Sequence, residues 1–327
     1  MKKLLLSLGV LMLSLQASAQ FYSKDAPFAH TYSIVARDTV TGEMGVAVQS
    51  HWFSVGTSVA WGKSGVGVVA TQSFTNKSFG PRGLTLMKNG LTAKLAMDAL
   101  LEVDEGRGVR QLAILDASGN VAAHTGKDCI EAAGHYVGNN FSVQANLMEK
   151  ASVWPAMAKA FEETKGSLAE RMLAALEAAQ AEGGDIRGKQ SAALLVVGAE
   201  NTGNEWDDKL VDLRVDDHAT PLKELRRLLN IQQAYQYMNA GDVAVEKGNI
   251  KEAKKMYQKA QQLNPENVEM KYWYAVTLAN NKEFEASKPV FKGVFEKDRK
   301  WQQLLSRLKK VNLLLITDKE LKELEKL

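Results

Sequence analysis

The chain has 327 residues, enough for two domains, and its 45% hydrophobic and 24% charged content is that of a folded globular protein. Its formal charge is +3, and +1 once Lys2 and Lys3 of an export-like segment are set aside, so nothing in the charge balance calls for a nucleic-acid partner. The single cysteine, Cys129, excludes an internal disulfide. No P-loop and no Rossmann glycine fingerprint occurs, and no cofactor is expected.

Residues 1–19 read as a Sec signal peptide: Met1-Lys2-Lys3, an apolar run over 4–15, then Gln16-Ala17-Ser18-Ala19 with small residues at the cleavage positions. The run is too short for a membrane span, and no later stretch approaches the roughly 20 apolar residues a spanning helix needs. The expectation is an exported protein, periplasmic or secreted, in which residues 20–30 form a leader or propeptide.

Four strand-like runs follow, over 31–38, 43–50, 57–61 and 66–73, each rich in Val, Ala, Thr and Ser and bounded by Gly or a polar turn. Their spacing leaves no room for crossover helices and predicts an antiparallel meander. Helices are predicted from Gly80 to Asn89 and over 92–103, then a hairpin of strands over 110–116 and 121–125. A glycine-punctuated loop holding Cys129, Gly134 and Gly138 leads to a strand over 141–147. Helices over 152–164 and 167–182 come next, the second opened by a Ser167/Glu170 capping box. Strands over 190–198 and 209–215 precede a helix that starts at Pro221. This order suits two packed antiparallel sheets with a helical layer outside each, an α+β fold read as a four-layer αββα sandwich over 31–229.

From residue 230 to 327 the pattern is helical and repeats. Tyr237, Ala240, Gly241, Gly248, Ala253, Tyr257, Ala260 and Pro265 fall at tetratricopeptide (TPR) offsets, and Ala286 follows Ala253 by 33 residues. Trp273, Tyr274, Phe284, Ala286 and Val290 fit a weaker second copy, in which Gly293 and Asp298 replace the later Ala and Pro. Two helical hairpins and a terminal helix are expected, forming an all-α TPR-like domain. So short an array is expected to lean on the sandwich domain or to dimerise as a homo-oligomer, and its concave groove to dock a peptide or a protein partner's helix. Trp273 and Tyr274 discriminate: an open groove would favour a ligand, burial a core role.

Several chemical readings are weak. His124, Cys129, His135 and Asp128 match no closed zinc spacing, and the segment reads better as a glycine-rich turn with a buried thiol; no metal is expected. Asp216-Asp217-His218 reads as the cap of the next helix. Ser50 and His51 are strand neighbours facing opposite ways, and no G-x-S-x-G elbow is present, which argues against a serine triad. Thr31 is different because of its position. A cut between His30 and Thr31 would place a free α-amine, titrating near ~8, beside its own hydroxyl, so that nucleophile and general base become one residue. Threonine is equally a favourable strand residue, and spacing alone does not separate the two roles.

The motifs Thr31-Tyr32-Ser33-Ile34-Val35-Ala36-Arg37-Asp38, Gly45-Val46-Ala47-Val48, Ala60-Trp61-Gly62-Lys63, Ala70-Thr71-Gln72 and Gly80-Pro81-Arg82-Gly83 stand in one order. With Ala123-His124-Thr125-Gly126, Gln144-Ala145-Asn146-Leu147 and Gly184-Asp185-Ile186-Arg187, they resemble a bacterial family catalogued as domain of unknown function ten-twenty-eight, placed in the N-terminal-nucleophile (Ntn) hydrolase superfamily. The resemblance covers residues 31 to 229 and implies an αββα sandwich and hydrolysis of an amide or peptide bond in a small amide or peptide substrate. It implies Thr31 as nucleophile and Ser50 as a residue steadying it. Lys63 is a candidate for lowering the hydroxyl pKa, and Thr71, Gln72 and Asn146 are candidates for substrate or oxyanion contacts. Many relatives begin Met-Thr; this chain carries residues 20–30 before Thr31 and needs a second cut. The alternative is a catalytically silent sandwich serving as a binding or scaffold module.

Overall fold

Strands β1 (Phe28–Ala29) and β2 (Thr31–Arg37) are separated by one residue yet belong to different sheets. The computed structural model describes residues 28–29, 31–204 and 206–327. The expected signal and leader residues 20–27 and 30 lie outside the described residues. Two units divide between Arg226 and Arg227.

In the first unit, β2 is followed by β3 (Met44–Ser50), a helical turn α1 (Gly56–Val59), β4 (Ala60–Lys63) and β5 (Gly67–Phe74). Helices α2 (Phe79–Lys88) and α3 (Ala93–Glu102) come next, then β6 (Arg110–Asp116), β7 (Val121–Thr125), β8 (Gly134–Gly138) and β9 (Phe141–Ala145). Helices α4 (Val153–Glu163) and α5 (Leu168–Ala181) lead to β10 (Ser191–Val197), β11 (Lys209–Val215) and α6 (Pro221–Glu246), which runs into the second unit. One antiparallel sheet has the order β11-β10-β3-β2-β9-β8. In the other, β5 lies between β6, which pairs with β7, and an edge shared by β4 and β1.

Alternation along the strands decides which side chains meet. Val35, Val46 and Val48 of the first sheet join Val68, Ala70, Ala113 and Leu115 of the second in one buried cluster between the sheets. The residues one step away face outward. Val69, Leu112 and Ile114 pack under Phe79, Met87, Ala96 and Leu100 of α2 and α3. On the far sheet α5 packs over β2 and β3, and Tyr32 donates a hydrogen bond to Gln180 Oε1 at 3.3 Å. The predicted capping box of Ser167 and Glu170 opens α5.

The four runs over 31–73 are two hairpins in two sheets rather than one meander, because β3 pairs with β2 and β10 while β4 pairs with β5. The strand expected to start at 57 starts at Ala60, after the helical turn over Gly56–Val59 that carries the chain between sheets. The loop around Gly134 and Gly138 contains strand β8, paired with β9 from end to end.

Gly80 of α2 lies against Trp61: a Cβ there would stand 2.3 Å from the indole, whose Nε1 is tied to the Ser58 carbonyl at 3.1 Å. Gly80→Ala should therefore cost about 1–3 kcal/mol through overpacking. A lower urea midpoint is the expected result; an unchanged one would mean that the ring moves aside freely.

The second unit is all-helical: after α6 come α7 (Ile250–Leu263), α8 (Val268–Asn280), α9 (Phe284–Lys297), α10 (Lys300–Lys310) and α11 (Asp318–Leu324). The expected terminal helix is thus two helices, since Val311 to Thr317 leaves helical geometry, with Asn312 at φ 59°. Gly241 has a repeat-type packing role, because a Cβ there would sit 2.8 Å from the Tyr257 ring. Trp273 and Tyr274 are half-buried and pack on the cores of the array. No helix among the described residues is long and apolar enough to cross a membrane.

Candidate active site

The layer between the two sheets is apolar at one end and polar at the other. Along β2 the inward residues run Val35, Ser33, Thr31; along β3, Val46, Val48, Ser50; along β5, Val68, Ala70, Gln72; along β6, Leu115, Ala113, Gln111. Ser142 and Gln144 of β9, and Asn146 just beyond it, add to the polar end. All these polar side chains are fully buried. Such groups are tolerated only when paired, and the pairing is dense.

Thr31 is the head of β2 and is held from two sides. Its Oγ1 donates to Ser50 Oγ at 3.2 Å, across the register pair Thr31 with Ser50. Its carbonyl accepts from Asn146 N at 3.2 Å, from Gln72 Nε2 at 3.2 Å and from Asn146 Nδ2 at 3.4 Å. Gln111 joins these groups: its Oε1 accepts from Gln72 at 2.7 Å and Asn146 at 2.9 Å, and its Nε2 donates toward Thr125 Oγ1 and the Ala145 carbonyl, both at 2.9 Å. Ser33 Oγ donates to Gln72 Oε1 and accepts from Gln144 Nε2, both at 2.6 Å.

Thr31, Ser50, Gln72 and Asn146 are brought together, but the two amides point at the Thr31 carbonyl and at Gln111, which makes them holders of the strand head. Thr71 faces the other way: as neighbour of the inward Gln72 it points to the helical side, where its hydroxyl donates to the Asn76 carbonyl at 3.2 Å. Lys63 is not brought to Thr31. It pairs with Gly67 at the far end of β5 and lines a cavity of about 240 Å³ with Ser64, Val197 and Asp208. Val197 lies opposite Met44, itself opposite Arg37, which puts this cavity roughly 20 Å along the strands from Thr31.

The histidine and cysteine candidates are dispersed. His135 Nδ1 pairs with Thr125 Oγ1 at 2.8 Å, His124 Nε2 with the Arg107 carbonyl at 2.9 Å, and Cys129 Sγ donates to the Arg110 carbonyl at 3.4 Å. Burial pushes the thiol pKa up. Burial, with the charge of His124 second, lowers that of His135. Among the described residues no three His, Cys, Asp or Glu side chains gather into a metal-sized cluster. Tyr32, next to Thr31 but on the opposite face, has its phenol pushed well above the ordinary value by burial and then by Asp185.

Gln111, Gln144, Ser33 and Thr125 are the members that sequence reading missed as site residues. The signal was present: a polar residue at the inward register of an apolar strand, repeated at the same end of several strands.

The chain belongs to the Family of unknown function (DUF1028), whose model matches residues 31–225, and a tetratricopeptide repeat model matches 244–308. The solved structure of protein SPO2555 from Silicibacter pomeroyi, of the same family, is 31% identical with a TM-score of 0.55, covering 62% of this chain and 88% of that one. Anbu, an ancestral beta-subunit from Yersinia bercovieri, aligns at 13% identity and a TM-score of 0.29, over 60% of this chain and 92% of its own. That last likeness is too low to carry an argument. No curated protein matches the chain.

Proposed function

We propose that residues 31–226 form an Ntn-type amidohydrolase, a four-layer αββα sandwich exported to the periplasm or beyond, with Thr31 as nucleophile once the His30–Thr31 bond is cut. The observation that carries this reading is the way Thr31 is anchored. Every contact described above acts on its carbonyl or hydroxyl, on the C-terminal side of the bond to be cut, so cleavage would leave the new N-terminal residue held in place. The freed α-amine then takes the hydroxyl proton, Oγ1 attacks the amide carbonyl, the amine leaves with the proton, and water releases the acyl group from the ester. Ser50 orients the hydroxyl, while Gln72 and Asn146 fix the strand head. The TPR-like unit is read as a dock for a protein partner.

A second reading, a catalytically silent binding module, is favoured by the complete burial of Thr31 in the uncut chain. Amide hydrolysis by the chain processed to Thr31, against a Thr31→Ala control, separates the two.

A further inference from the structure

The edge of β5 opposite β6 is divided between two short strands. β4 pairs with Gly67 to Ala70, and β1 pairs with the last two residues, Phe28 opposite Phe74 and Ala29 opposite Ser73, antiparallel. The chain's own leader thus adds a strand at the polar end of the sandwich. Only one residue lies between Ala29 and Thr31, and Gln72, next to Ser73, holds the Thr31 carbonyl. In the intact chain the segment in the place of β1 is thus joined to the head of β2 through a single residue.

This part of the edge is built rigidly. Ser73 sits at φ 71°, in the left-handed region that a non-glycine residue seldom adopts. The carbonyl of Phe74 accepts from Arg110 Nη1 at 2.5 Å. Arg110 is itself buried and paired with Asp104, Nε to Oδ2 at 2.8 Å. A strained backbone turn fixed by a buried ion pair is what a preformed acceptor edge requires.

We propose that the β5 edge at Ser73 and Phe74 is a docking edge for an extended peptide. The leader fills it in the intact chain, and a peptide substrate fills it in the processed chain. Recognition runs through main-chain hydrogen bonds, so the ligand is an extended peptide with few sequence demands rather than a compact amide. The docking edge depends on the reading of Thr31 as nucleophile only for what happens to the peptide after it binds.

The test is a titration, by fluorescence anisotropy, of a labelled peptide with the sequence of Gln20 to His30. It is run against a chain begun at Met-Thr31, whose initiator methionine is removed, in its Thr31→Ala form, and against the full chain. The expected result is binding to the shortened chain, at least tenfold weaker binding to the full chain, and loss of binding when the peptide is N-methylated at Phe28 and Ala29. Equal binding to both chains, an unaffected N-methylated peptide, or no binding to a shortened chain that is folded by circular dichroism would overturn the proposal. If the shortened chain does not fold, deuterium uptake decides: residues 71–76 should exchange faster in the full chain carrying Phe28→Pro and Ala29→Pro, and unchanged uptake would overturn it. Peptide binding by the Thr31→Ala form with no amide hydrolysis by the matching Thr31 chain would keep the docking edge and remove the hydrolase; hydrolysis by the Thr31 chain with no binding at this edge would do the reverse.

Discussion

Thr31→Ala should reduce amide hydrolysis by the processed chain about 10³-fold or more, because it removes the atom that bonds to the acyl group. Thr31→Ser should retain a measurable part, since the hydroxyl and the α-amine both remain. Thr31→Ala removes the buried hydroxyl contact with Ser50, worth about 1 kcal/mol, and leaves the carbonyl anchors in place. A Thr31→Ala chain that is folded and equally active would show that the hydrolysis does not arise at β2. The unprocessed chain should be inactive, because its Thr31 nitrogen is an amide and cannot accept the proton.

Gln111→Ala should have the largest effect on stability, about 3–5 kcal/mol, measured as the loss of unfolding free energy in urea. The cost does not come from one hydrogen bond. Gln111 bridges Gln72 and Asn146 on one side and Thr125 and the Ala145 carbonyl on the other, so truncation strands several buried groups at once. Gln144→Ala, whose side chain meets Ser33 and Ser142, should cost less. If Gln111→Ala lost under about 1 kcal/mol, the polar layer would have to be open to water, in conflict with its burial.

The two predictions differ in how far the sequence anticipates them. Thr31, Ser50, Gln72 and Asn146 can be singled out from sequence through the position of Thr31 after the export-like segment and through the motifs that carry the family resemblance, and the structure gathers them. Lys63 and Thr71 belong to the same short motifs, yet one lies at the far end of β5 and the other points to the helices. Strand periodicity says which residues share a face. It does not say which end of a strand meets which end of a strand from the other sheet. The same gap explains the meander reading, since nothing local to residues 51 to 59 announces that the chain changes sheets there. Strand β8 was hidden by composition: Gly134 and Gly138 flank three residues that become a strand through pairing with β9, a tertiary effect. The helices were legible because their caps are written in single residues, Thr92 for α3 and Ser167 with Glu170 for α5. Gln111 and Gln144 were the least legible, since a lone Gln in a strand reads as a solvent-facing residue until its neighbours across the sandwich are known.

Intact mass and N-terminal sequencing of the mature protein recovered from its native compartment show whether Thr31 becomes an N-terminus. A mature chain that begins at Thr31 is the expected result; one that begins at Gln20 and remains so would rule out Thr31 as an N-terminal nucleophile.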